Sequence, residues 1–276
     1  MPLRSALTVP VVLTLVLVTG CSSMSRKFTF MRPDLSRREF TRTAPEYDIK
    51  PDKERRGKFV ARDMVARAEQ RLRSGQLDQA EAAARSALKQ DAKAVDAYTI
   101  LGIVADQRGQ SAEAGRHYAK AAELAPTSGS IANNYGAWLC GNGRAAESLG
   151  WFDRALADAN YPTPAAARAN AGACAMDAGQ TARAERDLRM ALSRQPENPT
   201  ALAAMARVSY ANGNFLDARA FSERRLAAGP ATREILQLAS QIEQKLGDNR
   251  ASARYMQQMA AQFPQRDAQP GETARK

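Results

Sequence analysis

The side chains in this sequence that could carry chemistry are three cysteines and a single histidine. Cys140 stands in the stretch NNYGAWLCGNGR, residues 133–144, where a thiol beside glycines and an arginine could act as a nucleophile. The GNG of the same stretch is similar to a fragment of a phosphate-binding loop. Whether these side chains take part in chemistry depends on the elements that position them.

This chain lacks the residues that most catalytic and metal-binding sites require. A phosphate-binding loop needs GxxxxGK[ST] after a strand, and that motif does not occur. The chain has one histidine, and Cys140 and Cys174 lie far apart in the sequence, so no zinc site has the usual ligand spacing. His117 precedes the apolar Tyr118 and is expected to face solvent. We therefore expect no catalytic residue, no metal and no cofactor, and a protein that is not an enzyme.

A regular period organises the chain. Glycine recurs at spacings of 34, 34, 36, 34 and 34, at Gly75, Gly109, Gly143, Gly179, Gly213 and Gly247. Small residues stand five positions after each glycine, at Ala80, Ala114, Ser148, Ala184, Ala218 and Ser252, and seven before it, at Ala68, Gly102, Gly136, Gly172, Ala206 and Ser240. The pattern predicts helix pairs, because glycine suits the turn and small residues allow close packing. Proline then ends the second helix of most pairs, at Pro126, Pro196, Pro230 and Pro264.

These features resemble the tetratricopeptide repeat, which has two antiparallel helices in about 34 residues. The resemblance implies an all-α fold, a right-handed superhelical solenoid of six repeats. Their predicted bounds are 61–94, 95–128, 129–164, 165–198, 199–232 and 233–264. Gly143 is then the turn glycine of the third repeat and Gly136 its close-packing residue, so GNG is a structural turn.

The N-terminus has the pattern of an export signal, with Arg4, an apolar run over residues 6–18 and small residues before Cys21. Val18-Thr19-Gly20-Cys21 resembles the lipobox of bacterial lipoproteins, which implies removal of signal peptide 1–20 and acylation of Cys21. An ordinary secretory signal followed by an unmodified cysteine is the alternative. Ser22 stands where an aspartate usually retains such lipoproteins in the inner membrane, which implies sorting to the outer membrane.

Polar segments flank the predicted repeats. Residues 21–60 are predicted to form a lipidated, flexible basic tether, and 265–276 a disordered tail. The whole chain has 40 Lys or Arg against 29 Asp or Glu, a net charge of +11. An exported lipoprotein meets little nucleic acid, so we expect none as a partner. The positive charge suits anionic lipid headgroups, an acidic partner surface or a solvated surface that aids solubility.

Function in such an array means binding through the concave side lined by the first helix of each repeat, here called the first-helix face. The register places on it Arg62, Val65, Leu72, Ile103, Asn133, Asn134, Ala137, Asn170, Met176, Arg207 and Tyr210. Asparagines there suit hydrogen bonds to an extended peptide, and the apolar residues of repeats one and two suit an amphipathic segment. Because periodicity does not determine exposure, it is equally consistent with some of these residues packing against neighbouring helices instead of binding a partner. We expect a protein partner and no small-molecule substrate.

The stretch NNYGAWLCGNGR, together with YPTPAAARANAGACAMDAGQTARAERDLRMAL, resembles the type IV pilus biogenesis and stability lipoproteins of the PilF/PilW type. The residues that carry the resemblance are Asn133, Asn134, Tyr135, Gly136, Leu139, Cys140, Tyr161, Pro162, Pro164, Asn170, Ala171, Gly172 and Cys174. It implies an outer-membrane pilotin that faces the periplasm, binds the type IV pilus secretin and promotes its localisation and multimer assembly, supporting pilus biogenesis and twitching motility. The alternative is a periplasmic repeat scaffold for another envelope assembly machine.

Cys140 and Cys174 fall in the first helices of adjacent repeats, and an exported protein enters an oxidising compartment. The paired occurrence and the family resemblance together favour a disulfide between them. Their register positions differ by two because of the insertion at YPTP, and two reduced, buried cysteines are the alternative.

Overall fold

The computed structural model describes residues 52–264, and the predicted signal, Cys21, most of the tether and the tail lie outside this range. Residues 52–264 form twelve α-helices and no strand. The helices are α1 Lys53–Arg73, α2 Leu77–Gln90, α3 Val95–Gln107, α4 Ser111–Leu124, α5 Gly129–Gly141, α6 Ala145–Ala157, α7 Pro164–Asp177, α8 Thr181–Arg194, α9 Pro199–Ala211, α10 Phe215–Ala227, α11 Arg233–Leu246 and α12 Asn249–Gln262. None of these twelve combines the length and the hydropathy that a membrane span requires.

Each odd-numbered helix packs against the even-numbered helix that follows it, which confirms the predicted fold of six helix pairs. The glycine between the two helices has φ between 70° and 83° in every pair, a left-handed conformation that L side chains rarely adopt. At Gly143 the turn is closed by two amides: Gly143 N donates to Cys140 O at 3.1 Å and Arg144 N to Leu139 O at 2.9 Å. The GNG stretch is therefore a helix-ending turn.

Small residues let the two helices of a pair approach closely. All six small residues that follow the turn glycines by five positions are buried. On the facing helix, a Cβ added to Gly172 would lie 2.5 Å from Leu188 Cγ, and one added to Gly136 would lie 3.1 Å from Phe152. Both distances are shorter than ordinary van der Waals contact, so larger side chains at these positions would push the helices apart.

The core runs along the array as successive clusters, because each pair buries its apolar side against the next. The first cluster includes Ile100 and Leu101 and spans repeats one and two. The largest cluster spans repeats three to five and contains the fully buried Phe152 and Leu188.

Helix α1 begins at Lys53, so residues 53–60, assigned to the flexible tether from sequence, are helical. The Asp52 carboxylate accepts from Glu54 N at 3.1 Å and caps the helix, and Lys58 Nζ donates to Glu54 Oε1 at 2.6 Å. Gly57 packs so closely that an added Cβ would lie 2.8 Å from the Gln90 carbonyl oxygen. The repeat period could not indicate these turns, because capping and one close contact extend the helix beyond the repeat.

Candidate protein-binding face

Three depressions lie along the first-helix face. One of about 690 Å³ separates α1 from the start of α3, one of about 370 Å³ lies among α3, α4 and α5, and one of about 250 Å³ lies between α9 and α11. Neighbouring first helices touch at α1 and α3, α5 and α7, α7 and α9, and α9 and α11. Side chains from successive repeats therefore contribute to a shared surface.

The depression among α3, α4 and α5, here called the middle depression, has mixed walls. Ile103 and Asn134 line it, as predicted for the first-helix face, and Ala137 is exposed within it. Asp106 supplies a carboxylate at its edge. Burial, and then the charge of Asp106, raise the pKa of the Tyr118 phenol well above its usual range, so this wall carries a neutral hydroxyl.

Tyr118 and Trp138 line the middle depression, and Trp138 belongs to an aromatic cluster that sequence reasoning missed. Trp138 stacks on Tyr135 with ring centroids 5.8 Å apart, and Tyr135 meets the edge of Trp151 at 4.7 Å. The Trp138 ring also lies 6.5 Å from that of Tyr118. The i, i+3 spacing of Tyr135 and Trp138 in α5 could have indicated the cluster, because such pairs are neighbours on a helix surface.

Two predicted asparagines contact each other across neighbouring repeats. Asn170 Nδ2, on α7, donates to Asn133 Oδ1, on α5, at 3.1 Å, and both side chains are half-buried. The pair keeps the amide hydrogens of Asn133 and the carbonyl oxygen of Asn170 for further bonds. A donor and an acceptor side by side match the alternating groups of a peptide backbone.

The centre of the first-helix face is uncharged. Helix α5 contains no charged residue. In α7, Arg168 lies 3.7 Å from the buried Asp187, and Asp177 accepts a hydrogen bond of 2.6 Å from Arg207. These charges of α7 are therefore paired within the array, and the surface along α5 and α7 offers a partner mainly hydrogen bonds and apolar contact, with the Asp106 carboxylate at the edge of the middle depression.

Of the other predicted binding residues, some are exposed on the surface and others pack against the core and support the helices. Arg62 is exposed and lines the depression beside α1. Val65 is only 9% exposed and belongs to the first core cluster, and Leu72 is half-buried against the same cluster. Met176 packs against the largest cluster, and the Tyr210 ring meets the edge of Phe215 at 5.5 Å. Packing of neighbouring helices, which periodicity does not resolve, explains these supporting positions.

Cys140 and Cys174 are joined by a disulfide in the structure, with Cα atoms 5.9 Å apart. The bond links the end of α5 to α7. The two-residue insertion lies in the loop between α6 and α7, where Tyr161 is buried, so α7 still lies beside α5 despite the longer spacing.

His117 does not face solvent as predicted from sequence. Its side chain is half-buried, because its ring lies 6.3 Å from that of Tyr98 and its Nε2 lies 3.6 Å from Glu113 Oε1. Burial lowers the pKa of His117, and the nearby Glu113 carboxylate opposes that shift only in part. Within residues 52–264, no group of three or more His, Cys, Asp or Glu side chains is placed to hold a metal ion.

Two segments of the chain match family models described as tetratricopeptide repeat, over residues 65–129 and 175–242. Together with the six helix pairs and their turn glycines, these matches define a tetratricopeptide-repeat protein.

Comparison with individual related proteins shows which tetratricopeptide-repeat proteins are similar to this chain in sequence and fold. The chain is 32% identical to PilW, a widely conserved type IV pilus biogenesis factor, whose crystal structure matches 75% of this chain and 96% of that one with a TM-score of 0.68. It is 24% identical over 218 residues to the type IV pilus assembly protein PilF of Pseudomonas aeruginosa PAO1, covering 79% of this chain and 86% of PilF. A solved PilF structure shares the fold, with a TM-score of 0.65 at 22% identity. The chain belongs to the tetratricopeptide-repeat type IV pilus biogenesis proteins of the PilF/PilW type.

Proposed function

We propose that this protein is an outer-membrane lipoprotein pilotin that binds the type IV pilus secretin and promotes its outer-membrane localisation and multimer assembly. The observation that carries the proposal is the 32% identity to PilW, because the match extends over 75% of this chain and 96% of PilW. Cys21, outside the described residues, is the proposed lipid anchor on the periplasmic side. A periplasmic scaffold for another envelope assembly machine is the second candidate.

We assign the binding of the secretin to the first-helix face. The uncharged centre with Asn133, Asn134 and Asn170 supports recognition of an extended secretin segment through its backbone. The middle depression, with Ile103 and the rings of Tyr118 and Trp138, has room for an apolar side chain of that segment.

Ala137→Arg tests this assignment, because Ala137 is exposed in the middle depression and arginine is a good helix former. The added side chain should fill the depression and weaken secretin binding at least tenfold, about 1.4 kcal/mol, without changing helical content. The measurement is co-purification of the secretin, and its multimer level, in a strain whose own copy is deleted and replaced by the variant.

Ala220→Arg is the matched control, since Ala220 is exposed on α10, a second helix. It should restore multimers as the parent protein does. If deletion of the parent protein leaves secretin multimers and their membrane location unchanged, the pilotin function is wrong and the scaffold alternative stands. If deletion removes the multimers but Ala137→Arg restores them, the site lies elsewhere on the array.

Val65→Asp and Leu72→Asp are unsuitable for this purpose. Both side chains contribute to the core of the first repeat, so a charge there would destabilise the fold before it reported on binding.

A further inference from the structure

The first two turns of α1 carry an exposed aromatic side chain among arginines. Phe59 is 74% exposed, the largest exposure among the exposed large apolar side chains of residues 52–264. At 100° per residue it lies on the side of α1 opposite Gly57 and Ala61, which pack against the array. Phe59 is therefore not part of the repeat core.

Three arginines surround Phe59 at helical-neighbour spacings. Arg55 and Arg56 precede it by four and three residues, and Arg62, which also lines the depression between α1 and α3, follows it by three; all three are exposed. We name Arg55, Arg56, Phe59 and Arg62 the α1 patch.

The acidic residues of this segment do not neutralise the α1 patch. Glu54 pairs with Lys58 at 2.6 Å, and Asp63 pairs with Arg67 at 2.7 Å. Helix α1 contains eight basic residues against three acidic ones, so an unbalanced positive charge remains. No partner for Arg55 or Arg56 occurs among the described side chains.

We infer that the α1 patch docks on an anionic phospholipid surface, with Phe59 at the level of the headgroups and the arginines on lipid phosphates. An aromatic ring prefers the boundary between apolar and polar layers, and arginine forms forked hydrogen bonds with phosphate. Basic side chains gather at anionic leaflets, each contributing about fivefold to binding. A membrane as the occupant rests on the proposed lipid anchoring, because the patch follows Cys21 within the same N-terminal part of the chain.

Vesicle binding by an unlipidated chain, Ser22–Lys276, tests the inference without lipid anchor or secretin. This chain contains every described helix. It should co-sediment with vesicles of phosphatidylcholine and phosphatidylglycerol, and not with phosphatidylcholine alone. Removing two charges by Arg55→Gln with Arg56→Gln should weaken binding roughly 25-fold, and Phe59→Ser should also weaken it. Added salt should weaken binding by the parent chain, because it screens the charges.

Matched controls show whether binding depends on the α1 patch or on any exposed basic or apolar side chain of the array. Arg250→Gln with Arg254→Gln removes two exposed arginines of α12, and Leu216→Ser removes an apolar side chain that is 69% exposed on α10. These variants should bind as the parent does. In a second measurement, Phe59→Trp should add a fluorescence component that shifts to the blue on anionic vesicles, whereas Leu216→Trp should add one that does not.

Several outcomes overturn the inference. They are equal binding to both kinds of vesicle, binding that the α1 patch variants leave unchanged, and a fluorescence component of Phe59→Trp that does not shift. If the chain forms dimers that Phe59→Ser abolishes and binds no vesicles, the patch belongs to a second copy of the chain. Because no secretin is present, failure here leaves the pilotin proposal intact, and failure of the secretin assay leaves vesicle binding intact.

Discussion

Single glycines set the distance between the two helices of a repeat, and Gly172 provides the clearest test. We expect Gly172→Ala to destabilise the protein by about 1 to 3 kcal/mol, because its Cβ would lie 2.5 Å from Leu188 Cγ in a closely packed contact. Gly150→Ala is the control: Gly150 is in helix α6, is exposed, and has nothing within 4 Å of an added Cβ. It should stabilise by about 0.5 to 1 kcal/mol. Denaturant unfolding measures both, and equal effects would contradict the packing account.

His117 is the only histidine of the chain, so its titration can be followed without overlap. Burial lowers its pKa in the folded protein below the ordinary 6.5, which means that the folded state disfavours the protonated ring. The neutral ring is therefore favoured by folding above pH 6.5, and this contribution is lost as the pH falls below 6.5 and through the lower pKa of the folded protein. We expect NMR titration to give a pKa below 6.5 in the folded chain.

The lowered pKa of His117 also predicts how the stability of the protein depends on pH. Between pH 7.5 and 5, the free energy of unfolding should decrease more steeply for the parent protein than for His117→Gln, because only the parent has to bury a charged ring. A pKa above 6.5 would show that the Glu113 carboxylate outweighs burial, and parallel slopes for the two proteins would contradict the stability prediction.

At the scale of elements, the bond between Cys140 and Cys174 ties α5 to α7. Closing a loop of this length, with a sequence separation of 34, stabilises a protein by about 3 to 4 kcal/mol in the chain-entropy model. We expect non-reducing mass spectrometry of the exported protein to show the two peptides linked, and reduction to lower the melting temperature. The double variant Cys140→Ser with Cys174→Ser should melt at the lower temperature with or without reductant. Two free thiols in the exported protein would contradict the prediction.

The elements show how far sequence reasoning reaches. The turn glycines and small packing residues predicted the pairs, since a left-handed turn and a close helix contact each demand a particular residue type at a fixed place. The extra turns of α1 could not be predicted in this way, because they are stabilised by the cap at Asp52 and by one close contact at Gly57.

The candidate site was predicted less completely than the fold. Periodicity identifies which residues belong to the first helices, and Ile103 and Asn134 do line a depression there. It does not report contacts between repeats, so it missed that Asn133 and Asn170 bond each other and that Val65 is buried. Nor does it report contacts between rings, so the aromatic cluster of Tyr135, Trp138 and Trp151 was missed.

For the whole molecule, the proposed location rests on Cys21. We expect Cys21→Ser to release the protein from outer-membrane fractions, because none of the described helices is suited to span a membrane. Cell fractionation with a high-salt wash, in a strain that also lacks the secretin, measures this, because neither the partner nor the charges of the α1 patch can then hold the variant in place. The Cys140→Ser and Cys174→Ser double variant should stay with the outer membrane. Retention of Cys21→Ser without the secretin and after the high-salt wash would contradict lipid anchoring.

The order of the cysteines along the chain has a consequence for maturation. Acylation at Cys21 would leave two thiols, and these are the two that the structure joins. During export from the N-terminus, Cys140 arrives first and can pair only with Cys174, so no wrong pairing has to be undone. We therefore expect formation of this bond in the exported protein to depend on an oxidase that makes disulfides and to be independent of an isomerase that rearranges them.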